Sequence, residues 1–388
     1  MKKLLLIGVT VILVLCFSDK NLIQAESSTI NISKEDALKI TENYILKYQN
    51  SYDRNTEVIL KNYLYDIDDT ILGYHFELYN LDNYQGYIVI SATTDRDPVL
   101  ESGAGLFMEE QPKANEKIYY LGAFSYIFAE DINHLHKVFQ SAKEDYIKEL
   151  EREFSTMNNS DFISGINDLQ NEIEEVNKMN LESLNRLPGE FEKEWKDILT
   201  PNKVNLSSYK RLPVTRVYQR VSGVTKPTKA CGPAVAVMIN NYYKGKGYWV
   251  KDSTDYGGHA NYINRMIKEM NTGTLGTSAA NFRDGLRRQL NVNHKTSTSP
   301  WRAWTLSGNG YFESYKTSIS GNRPVALRFD NIIKGSKFTK YHFVAGIGYD
   351  GTEAIVKDPD NGKTNTGDRR FSWKTNQSVI TMIINSPN

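Results

Sequence analysis

The chain has 388 residues, 40% of them apolar and 24% charged, with a formal net charge of +1. That composition belongs to ordinary soluble protein of two or three domains and excludes a disordered or low-complexity chain. Two cysteines in the whole sequence exclude a disulfide-stapled scaffold, and a chain of this length holds a core without one.

In chain order, residues 1–25, MKKLLLIGVTVILVLCFSDKNLIQA, have two leading lysines, an apolar run from Leu4 to Phe17 and a cleavage site ending at Ala25. This is the order of a secretory signal peptide. The run is shorter than the roughly 20 residues a membrane span needs, so no stable span is expected once it is removed. Leu15 stands before Cys16, where lipoprotein processing wants a small residue. The exported, extracellular chain then carries one thiol, Cys231, which cannot form an internal disulfide and is a flag for reactivity or intermolecular pairing.

Residues 26–160 read as an α+β unit. NISKEDALKITENYILKYQ predicts a helix capped by Ser33, with Ala37, Ile40, Tyr44 and Ile45 on one face. ILGYHFELYNL alternates as a strand, and NLDNYQGYIVISATTDRDPVLESG reads as a turn, a second strand and a Pro-broken end. Residues 118–156 and 161–199 read as helical tracts, the second with Ile166, Leu169, Ile173 and Val176 on one face. Residues 161–209 are expected to be a helical linking segment, interrupted at Pro188 and Gly189 and ending in the linker TPNKVNLSSYKRLP.

Residues 210–388 change texture to short strands, glycines and asparagines. NRPVALRF is one strand, and KYHFVAGIGYDGTEAIVKDPDNG is a hairpin turning at Asp350 and Gly351. Charge divides at the same place. Residues 26–200 hold 34 acids and 16 bases, and residues 201–388 hold 11 acids and 28 bases. Such opposite poles point to the two halves docking on each other; no aromatic-interleaved basic motif or groove-reading helix supports nucleic acid as the partner.

Cys231 opens the helical pattern PAVAVMINNYY, with Pro233 suited to the first turn. A helix N-terminus or a nearby imidazolium lowers a thiol's pKa, and the unpaired N–H groups there can hold an oxyanion. On the helix start alone, a small buried hydrophobe is an equal reading of this cysteine. Of six histidines, His75, His134 and His136 lie in the acidic half, His259 in a Gly-rich loop and His294 in a polar turn. His342 lies in an apolar strand whose hairpin return brings Asp358, just before Pro359, alongside it. Cysteine, histidine and carboxylate in that order, on helix, strand and strand end, form the arrangement of papain-like catalysis.

Together ACGPAVAVMINNYY, GTSAANFRDGLRRQL, GNRPVALRF, YHFVAGIGYD and VKDPDNG resemble the peptidase domain of the bacteriocin-leader-processing cysteine peptidases, a papain-like group, over residues 210–385. The resemblance implies an α+β fold with the catalytic helix packed on an antiparallel sheet. It implies Cys231 as nucleophile, His342 as general base and acid, and Asp358 as the group orienting the histidine. It also implies an upstream glutamine as oxyanion donor, here Gln219, whose spacing of twelve residues is long for the family. GYIVISATTDRDPVLESGAG resembles the propeptide of streptopain-type peptidases, which implies a zymogen with an acidic inhibitory prodomain, opened near Lys203 to Arg211. The expected partners are a protein or peptide substrate and the prodomain. No cofactor is expected, and no His/Cys cluster has metal-ligand spacing. Two other readings stand beside hydrolysis: acyl transfer or amidase chemistry on cell-wall peptides with the same triad, and a non-catalytic basic module binding an anionic polymer.

Overall fold

Ser33 opens the first helix, α1 (Lys34–Lys47), by accepting the Asp36 N–H on its Oγ at 3.1 Å. The expected face of Ala37, Ile40, Tyr44 and Ile45 is buried. The structure is a computed structural model that describes residues 29–47, 56–155, 159–184, 190–199, 209–273, 275–294 and 300–387. The signal-peptide expectation, Pro188, Gly189 and the linker from residue 200 to residue 208 lie outside the described residues.

After α1 come six strands: β1 (Glu57–Tyr65), β2 (Ile71–Asn80), β3 (Asn83–Ser91), β4 (Val99–Gly103), β5 (Lys117–Gly122) and β6 (Ser125–Ala129). The helices α2 (Ile132–Ser155), α3 (Asn159–Lys178) and α4 (Glu192–Leu199) follow. The second half begins with the short β7 (Tyr209–Arg211) and runs through α5 (Cys231–Gly245), α6 (His259–Glu269) and α7 (Ala279–Leu290). It ends with β8 (Trp301–Ser307), α8 (Phe312–Ser320), β9 (Val325–Lys334), β10 (Lys337–Asp350), β11 (Glu353–Lys357), β12 (Arg369–Ser372), α9 (Trp373–Asn376) and β13 (Ile380–Pro387).

The expected hairpin is β10–β11, paired Asp350↔Glu353 across a turn in which Gly351 has φ +56°. One expectation is corrected. Residues 118–129 are not helical but the β5–β6 hairpin, turning at Ala123 and Phe124. Ile118, Tyr119, Tyr120 and Leu121 are all buried, so both faces of the strand are apolar and the period-two signal that marks a strand is erased.

The sheet crosses the division near residue 210 without a break. β12 pairs antiparallel with β4, Arg369↔Gly103 and Phe371↔Glu101, and β6 meets β9 at Tyr126↔Lys334. Because β10 pairs with both β11 and β9, the order β10, β11, β12, β4, β3, β2, β1, β5, β6, β9 closes into a ten-stranded ring. The smaller sheet expected of a separate prodomain is therefore part of one barrel with the strands that carry His342. The cores merge too: Ala123 and Phe124 pack with the residues of α5 and β10, and Ile333 and Phe338 pack with α2 and α3.

Gly346 fixes how closely β10 approaches α8. A Cβ there would stand 2.6 Å from the ring of Tyr315, which is fully buried and held by donating to the Gly348 carbonyl at 2.7 Å. Gly346→Ala is expected to destabilise the protein by about 1–3 kcal/mol, read as a shift in denaturant midpoint, because the ring has nowhere to retreat.

Candidate active site

α5 brings its first residue against the centre of β10, and Gly232 is the reason it can. A Cβ on Gly232 would sit 3.3 Å from the Phe343 ring and 3.2 Å from Thr277, tighter than ordinary contact, so glycine lets the helix start sit this close to the strand without displacing them. Phe343 in turn stacks on Phe282 of α7 at 4.8 Å. Cys231 is buried, with its Sγ 3.8 Å from the Tyr341 carbonyl. It precedes the first turn-closing bond of the helix, from Ala234 N to the Ala230 carbonyl at 2.9 Å, so its own N–H belongs to the turn that lacks intrahelical acceptors.

His342 points to the face of β10 opposite Phe343, as alternation requires. Its Nε2 lies 3.0 Å from Asp358 Oδ1. A carboxylate only accepts, so Nε2 carries the proton. The Cys231 thiol lies close enough to the same ring to raise its pKa, which leaves Nδ1 as the nitrogen free to face it. Burial opposes a charge on His342, yet the Asp358 carboxylate and the thiol outweigh it and raise the imidazolium's pKa to about 9. Burial would raise Asp358 as well; the facing imidazolium outweighs it and holds the carboxyl well below its usual range. Asp358 is further fixed by the Asp360 N–H, donating to Oδ1 at 2.8 Å, and by Arg369, donating to Oδ2 at 3.2 Å.

Gln219 joins the same place. It is buried, its N–H donates to the Pro359 carbonyl at 3.0 Å, and its Nε2 donates to the Pro227 carbonyl at 3.0 Å, leaving a second amide hydrogen for the cavity. Cys231, His342 and Gln219 all line one cavity of about 510 Å³. Its far wall comes from the N-terminal half: Leu106, Phe107, Glu109, Phe124 and Tyr126, with Asp145, Tyr146 and Glu149 of α2. Trp249, Trp301 and Trp304 are not among the lining residues.

The other histidines stand apart from this cavity. His75 is buried and bonded to Asn62 at 3.0 Å, where burial pushes its pKa down to about 3. His134 caps a turn at Glu130, and His294 meets Trp249 edge-on. Sequence reasoning missed Arg369, Glu101 and Phe124. Arg369 bridges Asp358 and the Glu101 carboxylate, and the Phe124 ring meets His342 edge-on at 5.8 Å. Bridge partners 268 residues apart leave no local pattern to read. Among the described residues no group of three or more His, Cys, Asp or Glu side chains is arranged to hold a metal ion, and no helix is long and apolar enough to cross a membrane.

Comparison with known proteins gives one match at the family level: residues 211–380 fit the model of the Peptidase_C39 like family. The match supports a papain-like cysteine peptidase domain of the C39 type over that segment, which is under half of the chain. No curated protein matches. Among solved structures the chain is similar to a candidate C39-like peptidase from Bacillus anthracis, at 13% identity and a TM-score of 0.26, over 44% of this chain and 96% of that one.

Proposed function

We propose that this chain is an exported cysteine peptidase, made as a zymogen, that hydrolyses peptide bonds with Cys231, His342 and Asp358. One observation carries the reading: thiol, imidazole and carboxylate follow one another at a cavity, with the 3.0 Å His342–Asp358 bond fixing which nitrogen faces the thiol. His342 Nδ1 holds the proton that the thiol gives up, as an imidazolium paired with the thiolate, and the thiolate attacks the substrate carbonyl carbon. The Cys231 N–H and the second Gln219 amide hydrogen receive the oxyanion. Collapse of the intermediate expels the amine, which takes the proton from His342 and leaves a thioester. Water, deprotonated by His342, then cleaves the thioester, releasing the acid and regenerating the thiol. Asp358 holds the ring in place and keeps the imidazolium charged between the two transfers.

Gln219→Ala is expected to lower kcat by about 10²–10³ with KM little changed, because the lost donor acts on the oxyanion and not on bound substrate. Steady-state kinetics on a quenched peptide check it.

In the zymogen reading α2, which walls the cavity with Asp145, Tyr146 and Glu149, is the blocking element, and α3 braces it. Glu149 of α2 pairs at 3.3 Å with Lys229, two residues before the thiol, and Lys340 pairs at 2.8 Å with Glu175 of α3. The test is to incubate the chain from Glu26 onward in reducing buffer beside its Cys231→Ser counterpart, following both by intact mass and by hydrolysis of quenched peptides. Hydrolysis by the parent alone supports the peptidase; equal hydrolysis by both chains, or by neither after the linker is cut, removes the reading. A cut between residues 201 and 208 is expected to leave the two pieces together on size exclusion until denaturant is added. The β4–β12 and β6–β9 pairings do not run through the linker.

A further inference from the structure

The far side of Asp358 is built by the N-terminal half. Its Oδ2 accepts from Arg369, whose other nitrogens reach only groups of that half: the Glu101 carboxylate and, at 3.1 Å, the Tyr87 hydroxyl. The Phe124 ring covers the guanidinium face at 4.3 Å. Glu101 is wholly buried on β4 and accepts in addition from the Tyr87 hydroxyl at 2.6 Å, the Tyr120 hydroxyl at 3.3 Å and the Phe124 N–H at 3.4 Å. A buried carboxylate saturated in this way serves one cation, and that cation holds the triad carboxylate. β12 carries Arg369 into position by pairing with β4 itself, Phe371↔Glu101.

Resting on the proposed peptidase reading, we infer that Glu101 is a positioning residue of the active site, acting through Arg369 on the Asp358–His342 pair, so that the barrel strands of the N-terminal half complete the catalytic centre. Those strands then stay with the enzyme. The physical argument is charge balance in a dry site. Arg369 and His342 compete for one carboxylate, with Lys334 adding a third positive charge and the Cys231 thiol on the ring's other side. Glu101 neutralises Arg369 and leaves Asp358 to the imidazolium. With Glu101 uncharged, Arg369 draws on Asp358 more strongly and the imidazolium loses support, so its proton leaves at lower pH.

The test is the titration of the His342 ring, followed by NMR in the full chain carrying Cys231→Ser. No turnover enters the readout, so failure here and failure of the peptidase reading are distinguishable. Glu101→Gln keeps the shape and removes the charge; Arg369→Lys keeps the charge and loses the fork that spans both carboxylates. In Glu101→Gln the His342 midpoint is expected to fall by about one pH unit, and in Arg369→Lys to move measurably from the parent value. A purely structural role lowers the denaturation midpoint and leaves the titration where it was. Either variant, folded and with His342 titrating as in the parent, overturns the inference.

Discussion

Cys231→Ser is expected to lower peptide hydrolysis by on the order of 10⁴-fold or more while the fold stays intact. Serine fills nearly the same volume, and the thiol's contacts are a carbonyl at 3.8 Å and the His342 ring, both compatible with a hydroxyl. Chemistry is what changes. A hydroxyl is far harder to deprotonate than a thiol and gains less from an imidazolium poised to hold a thiolate. Two measurements check this: turnover of a quenched peptide, and mass after iodoacetamide treatment, which should mark the parent at Cys231 and leave the serine chain unmarked. Turnover by the serine chain at the parent rate would mean that the thiol is not the nucleophile and that the family match carries fold without chemistry.

The residues of the proposed triad were the most legible as a constellation. Cys231 announced itself by standing alone at a helix start, and His342 and Asp358 by a hairpin whose turn residues, Asp350 and Gly351, set the register that brings them together. Local signals of this kind survive folding because they are local: caps, turns and alternation. The barrel was not legible for the opposite reason. Its closure depends on β12 meeting β4 and β6 meeting β9, and strand pairing between distant segments has no signature within either strand. The β5–β6 hairpin was hidden by burial on both faces, and the bridge from Glu101 to Arg369 by distance in the chain.

The opposite charges of the two halves meet in two different ways, at the exposed rim and in the buried interior. Lys229–Glu149 and Lys340–Glu175 each involve a glutamate that is 41% or 67% exposed, so salt screens them and each contributes little. Arg369–Glu101 and Arg369–Asp358 are buried to 5% exposure or less on both sides. Removing one partner there strands a charge in the interior, at a cost of about 3–5 kcal/mol. High salt should therefore weaken the two exposed pairs and leave α2 and α3 seated, because the buried Lys340–Glu172 pair and the apolar seam of Leu135, Phe139 and Leu150 against Ile127 and Ile333 are not screened.

Asp358→Asn tests the centre of that buried network, and its effect is expected to be pH dependent with a definite sign. Asparagine can still accept the Nε2–H on Oδ1, but its Nδ2 then faces the Arg369 guanidinium, donor against donor, and the negative charge is gone. In the parent, His342 has its pKa raised from 6.5 to about 9. The stabilisation linked to that shift is fully present below about pH 6.5 and is lost as pH rises through about 9. At 1.36 kcal/mol per pH unit it amounts to roughly 3 kcal/mol. In the variant, burial acts on the imidazole unopposed by the carboxylate, so the ring is neutral across that window and the stabilisation is absent. Denaturant midpoints measured from pH 6 to pH 10 should therefore fall with pH in the parent and stay nearly level in the variant, the two curves drawing together at the alkaline end. Turnover should follow the same proton: the parent's alkaline limb lies near pH 9, and the variant's moves below neutrality with kcat reduced by about 10²–10⁴. Parallel stability curves with a shared alkaline limb would mean that the carboxylate charge does not hold the imidazolium, and the triad would reduce to a hydrogen bond that orients a neutral ring.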